Sequence, residues 1–165
     1  MEKIFIDFKK CIGCHSCEAA CANEHGGKAN IFLTYTSELV MMSFNCRHCE
    51  NAPCMIVCPG KALYRDEDGA VRVRYQDCIG CMLCSIACPF GTPEFHERLK
   101  VMVKCDLCAH RRKEGKLPAC VSTCPMDALM LMEEEEIIQF RVREAVAKRE
   151  EIIKRVERIF GGETL

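Results

Sequence analysis

The residues of this chain best suited to chemistry are its cysteines, and their spacing is regular. Cys78, Cys81, Cys84 and Cys88, followed by Pro89, read C-x2-C-x2-C-x3-C-P. Three sulfurs this close can hold three corners of an iron–sulfur cubane if the backbone folds tightly around it. The fourth cysteine of such a run serves a second cluster. Gly80 is expected to let the main chain approach the sulfurs, and Pro89 to turn Cys88 away from the first three. One run therefore implies a partner run.

The partners are present. Cys11, Cys14, Cys17 and Cys21 repeat the spacing, with Ala22 where Pro89 stands in the other run. Cys46, Cys49, Cys54 and Cys58 have an x4 gap, and Cys105, Cys108, Cys120 and Cys124 an x11 gap; both end in Cys-Pro. These four quartets use all 16 cysteines. Disulfides fit poorly: the pairs recur two residues apart, and the start Met1–Asp7 has no secretion signal, which points to a reducing cytoplasm. Zinc is the chemical rival. It takes four-cysteine sites built from two separate C-x2-C pairs. The fourth run alone fits that pattern, whereas the first and third carry the cubane signature in full.

Composition narrows the function class. A formal charge of -1 gives no basic surplus for nucleic acid. Thiolates on clusters would make the holoprotein markedly more negative than that figure. No apolar run reaches the ~18 residues of a membrane span. Aromatic residues are 7% and Trp is absent, so clusters are expected to fill much of the interior and folding to depend on them.

The positioning elements follow from the intervening residues. Residues 4–8 read as a strand and 16–23 as a short helix ended by Glu24–Gly27. Residues 31–35 and 39–42 read as extended. Lys61–Arg65 and Val71–Tyr75 form a hairpin, with Gly69 at the turn. Residues 90–104 are a link, 128–132 a closing strand. From Glu133 to Phe160, Ile138, Val142, Ala145, Ile152, Val156 and Ile159 recur at helical steps, giving an amphipathic helix closed by Gly161 and Gly162. His15 and His48 lie inside runs that already hold four sulfurs, so surface or supporting roles are expected. Met55, Met82 and Met126 are expected to pack around the clusters. Arg111, Arg112, Lys113 and Lys116 read first as a solvated loop and second as a docking patch or a positive charge that raises the potential of the adjacent cluster.

Four quartets in this order, with the x4 and x11 gaps and Pro118-Ala-Cys-Val121, resemble the four-cluster electron-transfer subunits of the dimethyl sulfoxide reductase and formate dehydrogenase type. The likeness runs over residues 1 to about 132, and the missing proline after Cys21 agrees with it. Small relatives serve carbon monoxide dehydrogenase, hydrogenase and tungsten aldehyde oxidoreductase. The resemblance implies an α+β fold of two interlocked bacterial-ferredoxin-like modules plus the long C-terminal amphipathic helix. The outer module comes from 1–27 and 104–132, the inner from 43–90, making a 1–132 domain followed by the 133–160 helix. It also implies four [4Fe–4S] clusters with nested ligands: Cys11, Cys14, Cys17 and Cys124; Cys21, Cys105, Cys108 and Cys120; Cys46, Cys49, Cys54 and Cys88; and Cys58, Cys78, Cys81 and Cys84. Strands 4–8 and 128–132 at the two ends, and the hairpin between, suit that nesting.

With every iron closed by cysteine, no open site remains for substrate, and no nucleotide, flavin or nucleophile motif occurs. The expected function is non-catalytic relay of single electrons in an anaerobic setting. One partner is a large catalytic oxidoreductase subunit, foremost a molybdenum or tungsten pterin enzyme and otherwise carbon monoxide dehydrogenase or hydrogenase. Ferredoxin is a candidate outside acceptor, and the terminal helix a candidate subunit contact. The cluster body is expected to offer little other free apolar surface. A free polyferredoxin serving several enzymes and a cluster carrier for assembly are the alternative readings.

Overall fold

The computed structural model describes residues 1–35 and 41–160. Unit one comprises Met1–Leu131 and unit two Met132–Leu165. In chain order the elements are β1 (Lys3–Ile6), α1 (Ser16–Glu24), β2 (Ile31–Tyr35), β3 (Met41–Asn45), α2 (Pro53–Ile56), β4 (Leu63–Arg65), β5 (Val71–Val73), α3 (Leu83–Ala87), β6 (Glu94–His96), β7 (Val101–Val103), α4 (Ala109–Lys113), α5 (Ala119–Ser122), β8 (Leu129–Met132) and α6 (Glu134–Phe160). This is a mixed α/β arrangement.

The strands form four separate two-stranded ribbons: β1 with β8, β2 with β3, β4 with β5, and β6 with β7. Among the described residues the first strand thus pairs with the last, and Asp7 N–H donates to the Ala128 carbonyl at 2.8 Å. β2 and β3 pair antiparallel from Ile31–Asn45 to Tyr35–Met41, and the Phe32 and Phe44 rings stack at 5.7 Å. Residues 39 and 40 of the expected extended segment lie outside the described residues, as do Gly161 and Gly162. The 61–75 hairpin is present in its shorter core, β4–β5, with Gly69 at φ +81° in the turn.

Two expectations change. The link 90–104 is itself a hairpin, β6–β7, paired antiparallel from Glu94–Val103 to His96–Val101. That hairpin also explains Gly80. At φ +70°, a Cβ there would meet the Lys100 carbonyl oxygen at 2.8 Å and the Phe95 ring at 3.1 Å. The glycine therefore admits the β6–β7 hairpin, a close approach different from the expected one to sulfur.

Two buried clusters form the core. One joins Ile4, Ile6, Ile31, Leu107 and Leu129 to Cys17, Cys21, Cys46, Cys105 and Cys120. The other joins Leu63, Val71 and Met102 to Cys54 and Cys84. Sulfurs thus occupy places that aliphatic side chains fill in an ordinary core. The surface departs from expectation as well. Ile12, Ile56, Ile79 and Ile86 beside the cysteine runs are exposed, Ile86 to 80%, so free apolar surface is plentiful there.

Unit two consists mostly of α6, 27 residues long with Glu134, Glu135 and Glu136 in its first turn, where they complement the positive end of the helix dipole. Its seam residues Ile138, Val142, Ile152, Val156 and Ile159 are exposed. No helix among the described residues is long and apolar enough to cross a membrane.

Candidate metal centres

Each cysteine run begins in a loop whose backbone turns left-handed at fixed places. In the first and third runs these are Gly13 and His15 (φ 66° and 59°) and Gly80 and Met82 (φ 70° and 62°). In the second and fourth they are His48 (φ 45°) and Leu107 and Cys108 (φ 59° and 48°). Left-handed turns of this kind curl the main chain into concave nests of N–H groups that suit a negatively charged occupant. A short helix then carries the next cysteine inward: Cys17 on α1, Cys54 on α2, Cys84 on α3 and Cys120 on α5, all buried.

The fold brings the cysteines of different runs together. Cys11, Cys14, Cys17 and Cys124 line one recess, with Ile12, Leu33, Pro125 and Met126 among its walls. Cys46, Cys49, Cys54 and Cys88 line another, with Pro53, Val71 and Phe90. Among the remaining sulfurs, Cys21, Cys105 and Cys120 share one buried cluster, and Cys58, Cys78 and Cys84 meet in the other. Burial pushes the Cys120 thiol up to about 12, and Cys21, Cys108 and Cys17 push the same way. Burial raises Cys105 as well, with Cys46 and Cys120 adding to it. Burial lifts Cys84 to about 11, reinforced by Cys54, Cys58 and Cys78. Such packed, water-excluded sulfurs ionise together only when cations neutralise them, which is the condition that an iron–sulfur core meets.

Hydrogen bonds aim at the sulfurs from outside. Main-chain N–H groups donate to Cys21 Sγ from Asn30 (3.2 Å), to Cys46 from His48 (3.4 Å), to Cys58 from Ala62 (3.3 Å), to Cys78 from Met102 (3.3 Å) and to Cys124 from Ala128 (3.3 Å). Burial alone would raise Cys88, but the Thr92 hydroxyl, 3.5 Å away, and neighbouring N–H groups outweigh it and lower its pKa. Cys14, at the surface, is lowered by hydrogen bonds from Ser16. Bonds of this kind stabilise thiolate and tune the redox potential of the cluster it holds.

Two of the three orphaned buried side-chain atoms among the described residues, the third being Asn45 Oδ1, test the fit further. Ser43 Oγ and His48 Nε2 have no hydrogen-bond partner, and their residues line the first and second recess respectively. His48 Nδ1 accepts the Val71 N–H at 3.0 Å. Burial and the charges of Lys104, Arg72 and Arg65 hold its pKa well below the usual 6.5. The neutral ring therefore carries its proton on Nε2, a donor suited to a sulfide-bearing cluster. His48 is buried rather than on the surface, while His15 is exposed and bonds Glu18 at 2.5 Å. Met55 packs on the second buried cluster and Met126 lines the first recess, while both Met126 and Met82 are exposed, to 43% and 45%.

The basic stretch after Cys108 is corrected at Arg111 and Arg112, while Lys113 and Lys116 are exposed as expected. Residues 109–113 form α4, and three of its side chains bind other segments: Arg111 pairs with Glu24 at 3.1 Å, His110 with Glu24 at 2.5 Å, and Arg112 with Asp68 at 2.8 Å and with Glu2. Arg112 thus ties Glu2, just ahead of β1, to Asp68 in the β4–β5 turn. Its signal in the sequence was the matching acidic residues elsewhere, which no local spacing reveals. His25 was also missed: its Nε2 lies 3.6 Å from Cys108 Sγ and 3.7 Å from Asp106.

Comparison with known proteins adds independent information. A family model described as a 4Fe-4S dicluster domain matches residues 37–134, and one described as a 4Fe-4S binding domain matches residues 2–23. The sequence is 38% identical over 149 residues to an anaerobic dimethyl sulfoxide reductase chain of Escherichia coli, covering 76% of this protein and 70% of that one. It is 39% identical over 160 residues to the thiosulfate reductase electron transfer subunit PhsB of Salmonella typhi, covering 88% and 83%. With a tetrathionate reductase subunit of Salmonella typhimurium it shares 35% over 133 residues, covering 73% and 53%.

Proposed function

The chain belongs to the 4Fe-4S dicluster family of reductase iron–sulfur subunits, and from that premise we propose a specific assignment of its ligands, partner and relay order. It is a non-catalytic electron-transfer subunit, and its cofactors are four [4Fe–4S] clusters. The first quartet is Cys11, Cys14, Cys17 and Cys124. The second is Cys21, Cys105, Cys108 and Cys120. The third is Cys46, Cys49, Cys54 and Cys88, and the fourth Cys58, Cys78, Cys81 and Cys84. In this reading residues 1–27 and 104–132 make an outer module that encloses an inner one, 43–90.

A bound [4Fe–4S] cluster supplies a one-electron couple with little change of shape. The chain's part is to fix the sulfurs, keep water out and aim N–H groups at them. The observation that carries the reading is the contact between quartets. Cys17 and Cys46 share one buried cluster with Cys21, Cys105 and Cys120, and Cys54 shares the other with Cys84. That packing supports the order first, second, third, fourth, the order a relay between two partners needs. Cys14 and Cys81 are exposed, one in each terminal quartet, which supports partner contact at both ends.

The partner is a large catalytic oxidoreductase subunit of the molybdenum or tungsten pterin class, with ferredoxin as outside redox partner and a cytoplasmic setting. The exposed seam of α6 is proposed to pack on that subunit. Protein purified without air should hold iron and acid-labile sulfide for four cubanes and come out with a stoichiometric larger subunit. Zinc in place of iron overturns the ligand reading. A fully loaded, isolated monomer supports instead the free carrier serving several enzymes.

A further inference from the structure

Lys104 precedes the first cysteine of the fourth run and is only 3% exposed. Its ammonium donates to two main-chain carbonyls, that of Val71 and that of Cys105 at 2.8 Å. Val71 lines the recess of Cys46, Cys49, Cys54 and Cys88, while Cys105 belongs to the second quartet. The cation is therefore seated between the second quartet and the third. No ion pair among the described residues includes it.

Two nearby comparisons show that this charge is not needed merely to hold the loop. Asn45 stands at the corresponding place before Cys46 and is equally buried, and its Nδ2 donates to the Cys46 carbonyl at 3.1 Å. A neutral amide thus performs there the bond that the ammonium makes to Cys105. Arg72, the other buried cation nearby, is matched by Asp66 and by Asp68 at 2.5 Å. Lys104 has no such match, and a buried cation without a carboxylate is costly unless other negative charge faces it. Burial raises the pKa of both Cys54 and Cys105, and the Lys104 charge works against that at each.

We propose that Lys104 is a potential-setting residue, a buried ammonium whose counter-charge is the thiolate-held clusters of the second and third quartets. Each reduction adds one electron, supplied by the redox partner, and so one more negative charge beside this cation. The field of the cation makes that step more favourable at the two middle centres than at the two ends. The inference rests on the ligand sets proposed above.

Anaerobic protein carrying Lys104→Met, Lys104→Asn or Lys104→Arg is to be titrated with mediators and followed by electron paramagnetic resonance, with iron and sulfide measured on each. The expected result is full iron in all three. Two of the four reduction steps move to more negative potential in Lys104→Met and Lys104→Asn, and stay in place in Lys104→Arg. Cys14→Ser and Cys81→Ser mark the steps of the first and fourth quartets, and the displaced steps should be the two unmarked ones. Unmoved steps at full iron overturn the role of Lys104 alone. A shift confined to marked steps overturns the ligand sets. Loss of iron in both Lys104→Met and Lys104→Asn makes Lys104 a structural tether, and the proposal falls.

Discussion

The run from Cys46 to Cys58 and the run from Cys105 to Cys124 share the backbone turns at their two ends but set them in two electrostatic environments. Two residues after the first cysteine, both turn left-handed, at His48 and at Leu107. Three residues after the last cysteine they do so again, at Lys61 (φ 49°) and Asp127 (φ 47°). One residue further, Ala62 and Ala128 each donate an N–H to that last cysteine, both at 3.3 Å. The contents differ. One run carries the imidazole of His48, bonded to Val71, where the other has the fully buried aliphatic Leu107. One places neutral Asn45 before its first cysteine, the other Lys104. The conformation is dictated by presenting sulfur and N–H inward. The side chains left over are free to set local charge, so chemically similar centres can differ in potential.

The harshest way to break this comparison is to remove what both runs enclose. Stripping iron with a chelator under reducing conditions should abolish the fold of residues 1–131, because buried sulfurs cannot replace an apolar core. Circular dichroism and proteolysis would read the loss; retention of both buried clusters without iron would refute the dependence. Next comes the crossing of runs. Cys124→Ser should remove or alter one cubane, with up to about a quarter of the iron lost, and the altered signal should be the one that Cys14→Ser also perturbs. A change shared instead with Cys108→Ser would break the nested ligand sets.

Exchanging side chains sharpens the comparison. Leu107→His puts a polar ring into a fully buried site where the sister run offers a Val71-like donor only to His48. It should cost about 2–4 kcal/mol in unfolding free energy. His48→Leu removes one bond and leaves the Val71 N–H without its acceptor, costing about 1–3 kcal/mol. Denaturant melts of the loaded protein measure both, and equal tolerance of the two would show the positions to be interchangeable. The smallest effect is expected from Arg112→Ala. It cuts the links to Glu2 and Asp68 and should lower stability by about 1–2 kcal/mol, read as a lower midpoint with four clusters retained.

Much of the site was legible because cubane chemistry imposes local spacing. The four runs, the helix that carries Cys17, and the chain's membership in its family all followed from residues within a few positions of each other. The strands at both ends were legible from short apolar stretches. What escaped were features set by distant partners. The β6–β7 hairpin has only three residues per strand, too short for alternation to show. The role of Gly80 depends on Lys100, twenty positions on, and that of Arg112 on Glu2 and Asp68. The burial of His48 and Lys104 arises from packing around sulfur, which no periodicity announces.

The pairing of β1 with β8 has a consequence for biosynthesis. A ribosome releases the first strand early and the last strand only after residue 132 has emerged. Until then β1 has no neighbour, while the β2–β3, β4–β5 and β6–β7 ribbons can already close on contiguous chain. Translation therefore completes this protein from its middle outward, and a nascent chain stalled before Cys120 leaves its opening cysteines exposed to whatever metal or oxidant the cell presents.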